Sequence, residues 1–208
     1  MKSTTWFVIS VCAAALTVAG GCAAPSKPAE PPLRVVPVAE WGGSAMSPES
    51  VAMAKKHKPQ WITLHHGGVA FLRDKDPKQY LRNLQSWSRG TRKWADIPYH
   101  YLIDLDGNVY EGRDVNYAGD TNTEYDPTGH ALIVVLGNFE EVDPNPAQLS
   151  AVTSTMVMLA KRFNINPDKI AGHKDYSGQT ACPGKSLYPY LQNGYFKQQV
   201  SAALKQSP

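Results

Sequence analysis

The chain is poor in cysteine, with three in 208 residues, at positions 12, 22 and 182. That excludes a scaffold stapled by disulfides. It also lacks a strong excess of either charge: 21 basic residues against 18 acidic ones give a net charge of +3. No Lys/Arg block and no P-loop glycine pattern occurs, so nucleic acid is not an expected partner. Glycine and proline number 16 each, too few and too aperiodic for a fibrous protein. The longest apolar stretch, from Trp6 to Ala19, falls short of the ~20 residues that span a bilayer. What is present is an ordinary globular mix, 42% hydrophobic and 19% charged, which excludes disorder along the whole chain.

The N-terminus reads as an address. Lys2 supplies a positive start, Trp6 to Ala19 an apolar middle, and Gly20-Gly21 a small-residue exit before Cys22. The ending V-A-G-G-C resembles a bacterial lipobox, in which the cysteine becomes the lipidated first residue; Ala19 stands where Leu is more usual. Cleavage nearby by an ordinary signal peptidase is the alternative. A lipidated Cys22 would tether the protein to a membrane surface without spanning it. Ala23, which is not Asp, points by analogy with Gram-negative lipoproteins to the periplasmic side of the outer membrane. Membrane contact is then expected through that anchor alone. Pro25, Pro28, Pro31, Pro32 and Pro37 follow, reading as a semi-rigid extended arm. The expected division is 1–21 signal peptide, 22–37 lipidated cysteine and tether, and 38–208 one folded domain, monomeric.

Within that domain strands and helices alternate. Trp61–His65 reads as a short buried strand ending in two histidines. Asp76-Pro77 with Gln79 reads as a helix start with a capping box, followed by Tyr80, Leu81, Leu84 and Trp87 at helical spacing. Tyr99–Ile103 and Asn108–Glu111 flank Leu105-Asp106-Gly107 as a hairpin. Ala131–Leu136, apolar throughout, predicts a central strand. Asn145-Pro146 begins a second helix with Leu149, Val152, Met156, Leu159 and Phe163 as its buried stripe. A last helix is predicted over Phe196–Leu204. The fold class is α/β: a single domain with a central mixed sheet flanked by helices.

The chemistry is sought among six histidines (57, 65, 66, 100, 130, 173) and Cys182. His65 ends a strand before Gly67-Gly68, His173 follows a short strand and Gly172, and Cys182 lies in a loop of turn formers. Such strand ends and loops are where sites are built. Two imidazoles and a thiolate suit zinc, and three protein ligands leave a fourth position for water of lowered pKa. A metal would also account for a lone cysteine in an oxidising compartment. Spacing alone does not join these residues.

Four segments do. W-I-T-L-H-H, I-P-Y-H-Y-L-I-D-L-D-G-N-V-Y-E-G-R, L-I-V-V-L-G-N-F and A-G-H-K-D-Y-S-G-Q-T-A-C-P-G stand in order across most of residues 60–185. They resemble the zinc-dependent N-acetylmuramoyl-L-alanine amidase family, which includes the animal peptidoglycan-recognition proteins and small phage amidases. The resemblance implies a peptidoglycan-recognition-protein-like fold and zinc held by His65, His173 and Cys182, with His66 as the competitor of His65. It implies a catalytic Tyr99, orienting water or stabilising the oxyanion, and Thr180 as a second donor. The catalytic Glu of some bacterial relatives falls here on Val134, so no carboxylate base is identified. Asp175 and Glu111 are the nearest carboxylates by motif and Arg113 has substrate clamp as its alternative, but these three, with His100 and His130, read as structural. Trp41 and Trp94 are candidates for lining a glycan groove.

The implied activity is hydrolysis of the amide between the lactyl group of N-acetylmuramic acid and L-alanine, on peptidoglycan or muropeptides. Two rival readings stand beside it. One is a module that binds peptidoglycan without cleaving it. The other is a cysteine hydrolase with Cys182 as nucleophile and His173 as base. A purely structural zinc would need a fourth protein ligand, and none is evident.

Overall fold

Caps and breaks in the chain decide where each element begins. The computed structural model describes Met1 and residues 33–206. The elements in order are β1 (Val35–Val36), α1 (Pro48–Met53), β2 (Trp61–His66), α2 (Pro77–Gly90), β3 (Tyr101–Ile103), β4 (Val109–Glu111), β5 (His130–Val135), α3 (Pro146–Phe163), β6 (Ile170–Gly172), α4 (Pro189–Gln192) and α5 (Tyr195–Lys205). The expected signal peptide, Cys22 and most of the Pro-rich arm lie outside the described residues.

The strands form one mixed sheet in the order β1-β4-β3-β5-β2-β6. The β3–β4 hairpin is antiparallel and the other pairings are parallel. The continuous apolar run of β5 fits a strand paired on both edges and covered on both faces, and every residue in it is buried. Alternation divides the core. Ile62, Leu64, Ile133 and Val135 face α3 and α5, meeting Val152, Met156, Leu159, Phe196 and Val200. Leu102 and Val134 face the other way, toward Leu81 of α2. His65 pairs with Val134 across β2 and β5, so it lies off the α3 side.

Hairpin and helix starts follow local chemistry. Asp104, buried at 2% exposure, accepts from the N–H groups of Asp106 and Asn108, from Asn108 Nδ2 and from Tyr110 OH, all within 2.8–2.9 Å. Gly107 supplies the positive φ (80°) of the turn. At α3, Asn145 and Gln148 form a reciprocal capping box, worth about 1 kcal/mol at the cap alone.

Four expectations need correction. At α2 only half of the expected box exists: Asp76 caps Lys78 N, but Gln79 Nε2 donates to Asn83 Oδ1 instead. Trp87 is 41% exposed, because the inward face of α2 is Leu81, Gln85 and Ser88. Val35 and Val36, assigned to the tether, form β1 and cover the open edge of β4. Trp41 is fully buried, its indole N–H donating to Glu111 O at 2.8 Å, and so lines no groove. The short helix α1 carries no apolar stripe and was not foreseen; Ser47 caps it by accepting from Ser50 N.

Candidate metal centre

Sheet register makes the site. Leu64 of β2 pairs with Gly172 of β6, so the residues that follow, His65 and His173, emerge side by side. Their ring centroids are 4.6 Å apart. His173 opens a single 3-10 turn, closed by Asp175 Oδ2 accepting from Gly172 N at 2.7 Å. The chain then loops back: Lys174 N donates to Cys182 O at 2.8 Å, which places the cysteine over the strand ends. Further along, Ser186 N donates to Phe139 O at 3.0 Å and holds the loop down.

His65, His173 and Cys182 each offer a donor atom, and these lie within 4.8 Å of one another. All three side chains are buried, at 2%, 7% and 7% exposure. His65 Nδ1 stands 3.6 Å from Cys182 Sγ. A tetrahedral angle between a Zn–S bond of ~2.3 Å and a Zn–N bond of ~2.0–2.1 Å sets donors about 3.6 Å apart. The other ring nitrogen of His65, Nε2, is buried and has no partner among the described residues. Donor chemistry and spacing therefore fit a borderline cation such as zinc.

Electrostatics agree. Burial holds His65 well below its ordinary range, with His173 adding to the effect, and burial also lowers His173. Both rings stay neutral, with lone pairs available. Burial pushes the Cys182 thiol up to about 12, only partly opposed by the N–H of His66, 3.4 Å from Sγ. Among the described residues nothing makes this sulfur a thiolate; a dication would.

The competitor His66 points elsewhere. Its Nδ1 accepts from Phe139 N at 3.2 Å, and it is not among the three converging donors. Tyr99, just before β3, is half-buried and its ring lies 5.3 Å from His65. Burial pushes its phenol above the ordinary range, so it stays a proton donor. Thr180 is half-buried and its Oγ1 accepts from Cys182 N at 3.1 Å, which leaves its own proton free. Both hydroxyls line a cavity of about 320 Å³ together with the three donors and Trp94. Trp94 thus stands on the cleft wall, as its sequence position suggested, and Trp41 does not.

The other residues hold structure. His100 is fully buried; its Nδ1 accepts from Leu132 N, so its Nε2–H donates to Tyr117 O. His130 Nδ1 lies 2.8 Å from Thr63 Oγ1. Buried Arg113 donates to Ile97 O, Ala118 O and Asp96 O and pairs with Asp120. Asp175 accepts from Gly172 N and Tyr188 OH, and Glu111 lies 3.4 Å from Val38 N. Val134 is buried at 1% exposure and pairs with His65 across β2 and β5, so this chain sets an apolar side chain there and not a carboxylate. Asp120 lines the cavity but is committed to Arg113. Sequence reasoning missed Thr121 and Thr123, which also line the cleft; T-N-T in a polar loop gives no motif to find them by.

Comparison with known proteins agrees with this geometry. Residues 55–185 match the N-acetylmuramoyl-L-alanine amidase family. Peptidoglycan-recognition protein SD of Drosophila simulans is 33% identical over 164 residues, covering 76% of this chain and 84% of that one. Human N-acetylmuramoyl-L-alanine amidase is 32% identical over 114 residues, covering 54% of this chain and 19% of that longer protein. The crystal structure of Drosophila peptidoglycan recognition protein SD superposes with a TM-score of 0.67 at 30% identity, over 77% of this chain and 94% of that one. With the match spanning the strand that carries His65 and the loop that carries Cys182, the chain belongs to the N-acetylmuramoyl-L-alanine amidase family.

Proposed function

We propose that this protein is a zinc-dependent peptidoglycan hydrolase that cleaves the amide between the lactyl group of N-acetylmuramic acid and L-alanine. The observation that carries the reading is the convergence of three donors, His65, His173 and Cys182, at the floor of a cleft. Those residues would hold the metal, and three protein ligands leave one position open to the cleft. When bound, zinc supplies a Lewis acid for the scissile carbonyl and lowers the pKa of water. The chain's own residues do the rest. Tyr99, kept protonated by burial, and Thr180, with its hydroxyl proton free, stand on the cleft wall as donors for the oxygen that gains charge. Trp94 offers an aromatic face on the same wall for a sugar or peptide.

The cysteine-nucleophile reading has less support. A thiol raised to about 12 is a poor nucleophile, and the histidine nitrogen standing beside its sulfur is Nδ1 of His65 at 3.6 Å, not the His173 that this reading needs as base. Binding without cleavage remains the reading to beat, since several relatives carry recognition in their names. The full set of three donors favours catalysis. Cys22 is the proposed lipid anchor, which would place the domain in the periplasm at the outer membrane within reach of the murein. Radiolabelled palmitate entering the wild type but not Cys22→Ala would support that placement.

The deciding experiment incubates the purified protein with a muropeptide, with and without a chelator, and reads products by mass spectrometry. Release of a stem peptide with a free L-Ala amino group, lost with chelator and restored by zinc, is expected. Retention on murein with no release from muropeptide or murein would give the site to recognition instead.

A further inference from the structure

We infer that Thr123 is a positioning residue for the metal centre: its hydroxyl takes the Nε2–H of His173, fixing the tautomer that leaves Nδ1 to bind the metal. The inference rests on the zinc reading of the site. His173 Nε2 lies 2.8 Å from Thr123 Oγ1 and 3.4 Å from Thr121 Oγ1. The two threonine oxygens are 2.9 Å apart, and Thr123 N donates to Thr121 Oγ1 at 3.1 Å.

A hydroxyl has one proton to give, and that limits how this cluster is wired. Thr121 Oγ1 already accepts a backbone N–H, which pins it beside Thr123. Two wirings satisfy these threonines, and the one that leaves His173 Nδ1 bare for a metal runs His173 Nε2–H to Thr123 Oγ1, then Thr123 O–H to Thr121 Oγ1. Thr121 keeps its own proton for the cleft, which it lines. The reverse wiring, with Thr123 donating to Nε2, would put the imidazole proton on Nδ1. That would deny the nitrogen to a metal.

Outer partners of this kind orient a ligating histidine and raise its basicity; a carboxylate, a backbone carbonyl or water is usual. Here the partner is a neutral hydroxyl, which adds no second negative charge beside the Cys182 sulfur and, when it accepts from Nε2–H, holds the tautomer that leaves Nδ1 bare. The two histidines are unequal in this respect. His65 Nε2 is buried with no partner among the described residues, so on the side away from Cys182 its ring is held by packing. The hydrogen-bonded orientation of the pair therefore depends on the Thr123 side.

The test measures zinc affinity on the full-length protein by competition with a chromophoric chelator. Thr123→Val keeps the shape and removes the hydroxyl; a 10–100-fold weaker affinity is expected. Thr123→Ser restores the hydroxyl and should return to within about threefold of wild type. Nitrogen-15 NMR of zinc-free wild type should show His173 as the Nε2–H tautomer, a readout that needs no variant to fold. Wild type that takes up no zinc would remove the zinc reading itself. Zinc bound equally well by wild type and Thr123→Val, or an Nδ1–H tautomer for His173, would overturn this inference and leave that reading standing.

Discussion

His65 Nδ1 and Cys182 Sγ stand 3.6 Å apart, although 116 residues lie between them in the chain. That separation lies within reach of a hydrogen bond to sulfur and is also the one expected for two donors sharing a tetrahedral cation. Cys182→Ser tests it. A neutral hydroxyl is a harder and weaker ligand than a thiolate. Zinc affinity should fall by more than the ~100-fold upper end for losing an outer partner, and amidase activity with it. Metal analysis after dialysis against a weak chelator checks the first; product release checks the second. Serine binding zinc as tightly as cysteine would remove the sulfur from the ligand set.

Tyr99 should matter to turnover and not to metal binding. Its phenol is kept protonated by burial and borders the cleft beside His65. Removing one oxyanion donor costs about 10²–10³ in kcat. Tyr99→Phe should show that loss with zinc affinity and KM close to wild type. Thr180→Val should differ in lowering zinc affinity as well as kcat, because its hydroxyl also caps Cys182 N and its loss loosens the ligand loop. A Tyr99→Phe enzyme with unchanged kcat would leave the oxyanion without its main proposed donor.

Much of the architecture was legible because it depends on local rules. The β5 run, the Asp-Gly turn and the α3 stripe each announce themselves by period or turn chemistry. Strand alternation meant that only one of His65 and His66 could face a metal, and the family resemblance pointed to His65. What failed was decided by tertiary contact. Asp76-Pro77-Lys78-Gln79 and Asn145-Pro146-Ala147-Gln148 promise the same capping box, yet only the second forms it. Gln148 is buried and its Nε2 also donates to Leu136 O, while the exposed Gln79 is drawn to Asn83 and Arg82. Trp41 carried no periodic signal, and its burial follows from a bond to Glu111, 70 residues away. The Leu64–Gly172 register that joins the two histidines is likewise invisible without the sheet. Among the site residues, motif resemblance supplied what periodicity could not.

Gly184 holds the ligand loop in a shape that a side chain would spoil. Its φ is +94°, and an added Cβ would stand 2.6 Å from Phe139 C. Gly184 N also donates to Ala181 O, next to Cys182. Gly184→Ala should therefore cost more than ~1 kcal/mol, from left-handed strain together with the clash. Because the strain falls on the cysteine loop, zinc affinity should drop alongside stability. Urea unfolding with and without zinc separates the two. An alanine variant with a wild-type midpoint would mean that the loop relaxes freely.

Acid should weaken the fold through histidines that are buried neutral and away from the metal donors. Burial lowers His100 from its ordinary 6.5 to about 3 and His130 to about 4. A folded value below the unfolded one means that the unfolded chain takes the proton first. The stabilisation is then complete above about pH 6.5 and is lost as pH falls toward the folded values. Between pH 7.5 and 5, His100 alone should cost about 2 kcal/mol at 1.36 kcal/mol per pH unit. Protonating it would also break the bond that its Nδ1 accepts from Leu132 N, in the middle of the sheet. Urea midpoints measured in zinc-free protein at pH 7.5, 6, 5 and 4.5 read this directly. His100→Asn, in which the amide oxygen replaces Nδ1 as acceptor and the titrating group is gone, should lower stability at pH 7.5 but flatten the dependence below 6.5. If the slope survives in that variant, the acid sensitivity belongs to His130, to buried His65 in the zinc-free protein, and to half-buried His57, whose Nδ1 accepts from Gly129 N.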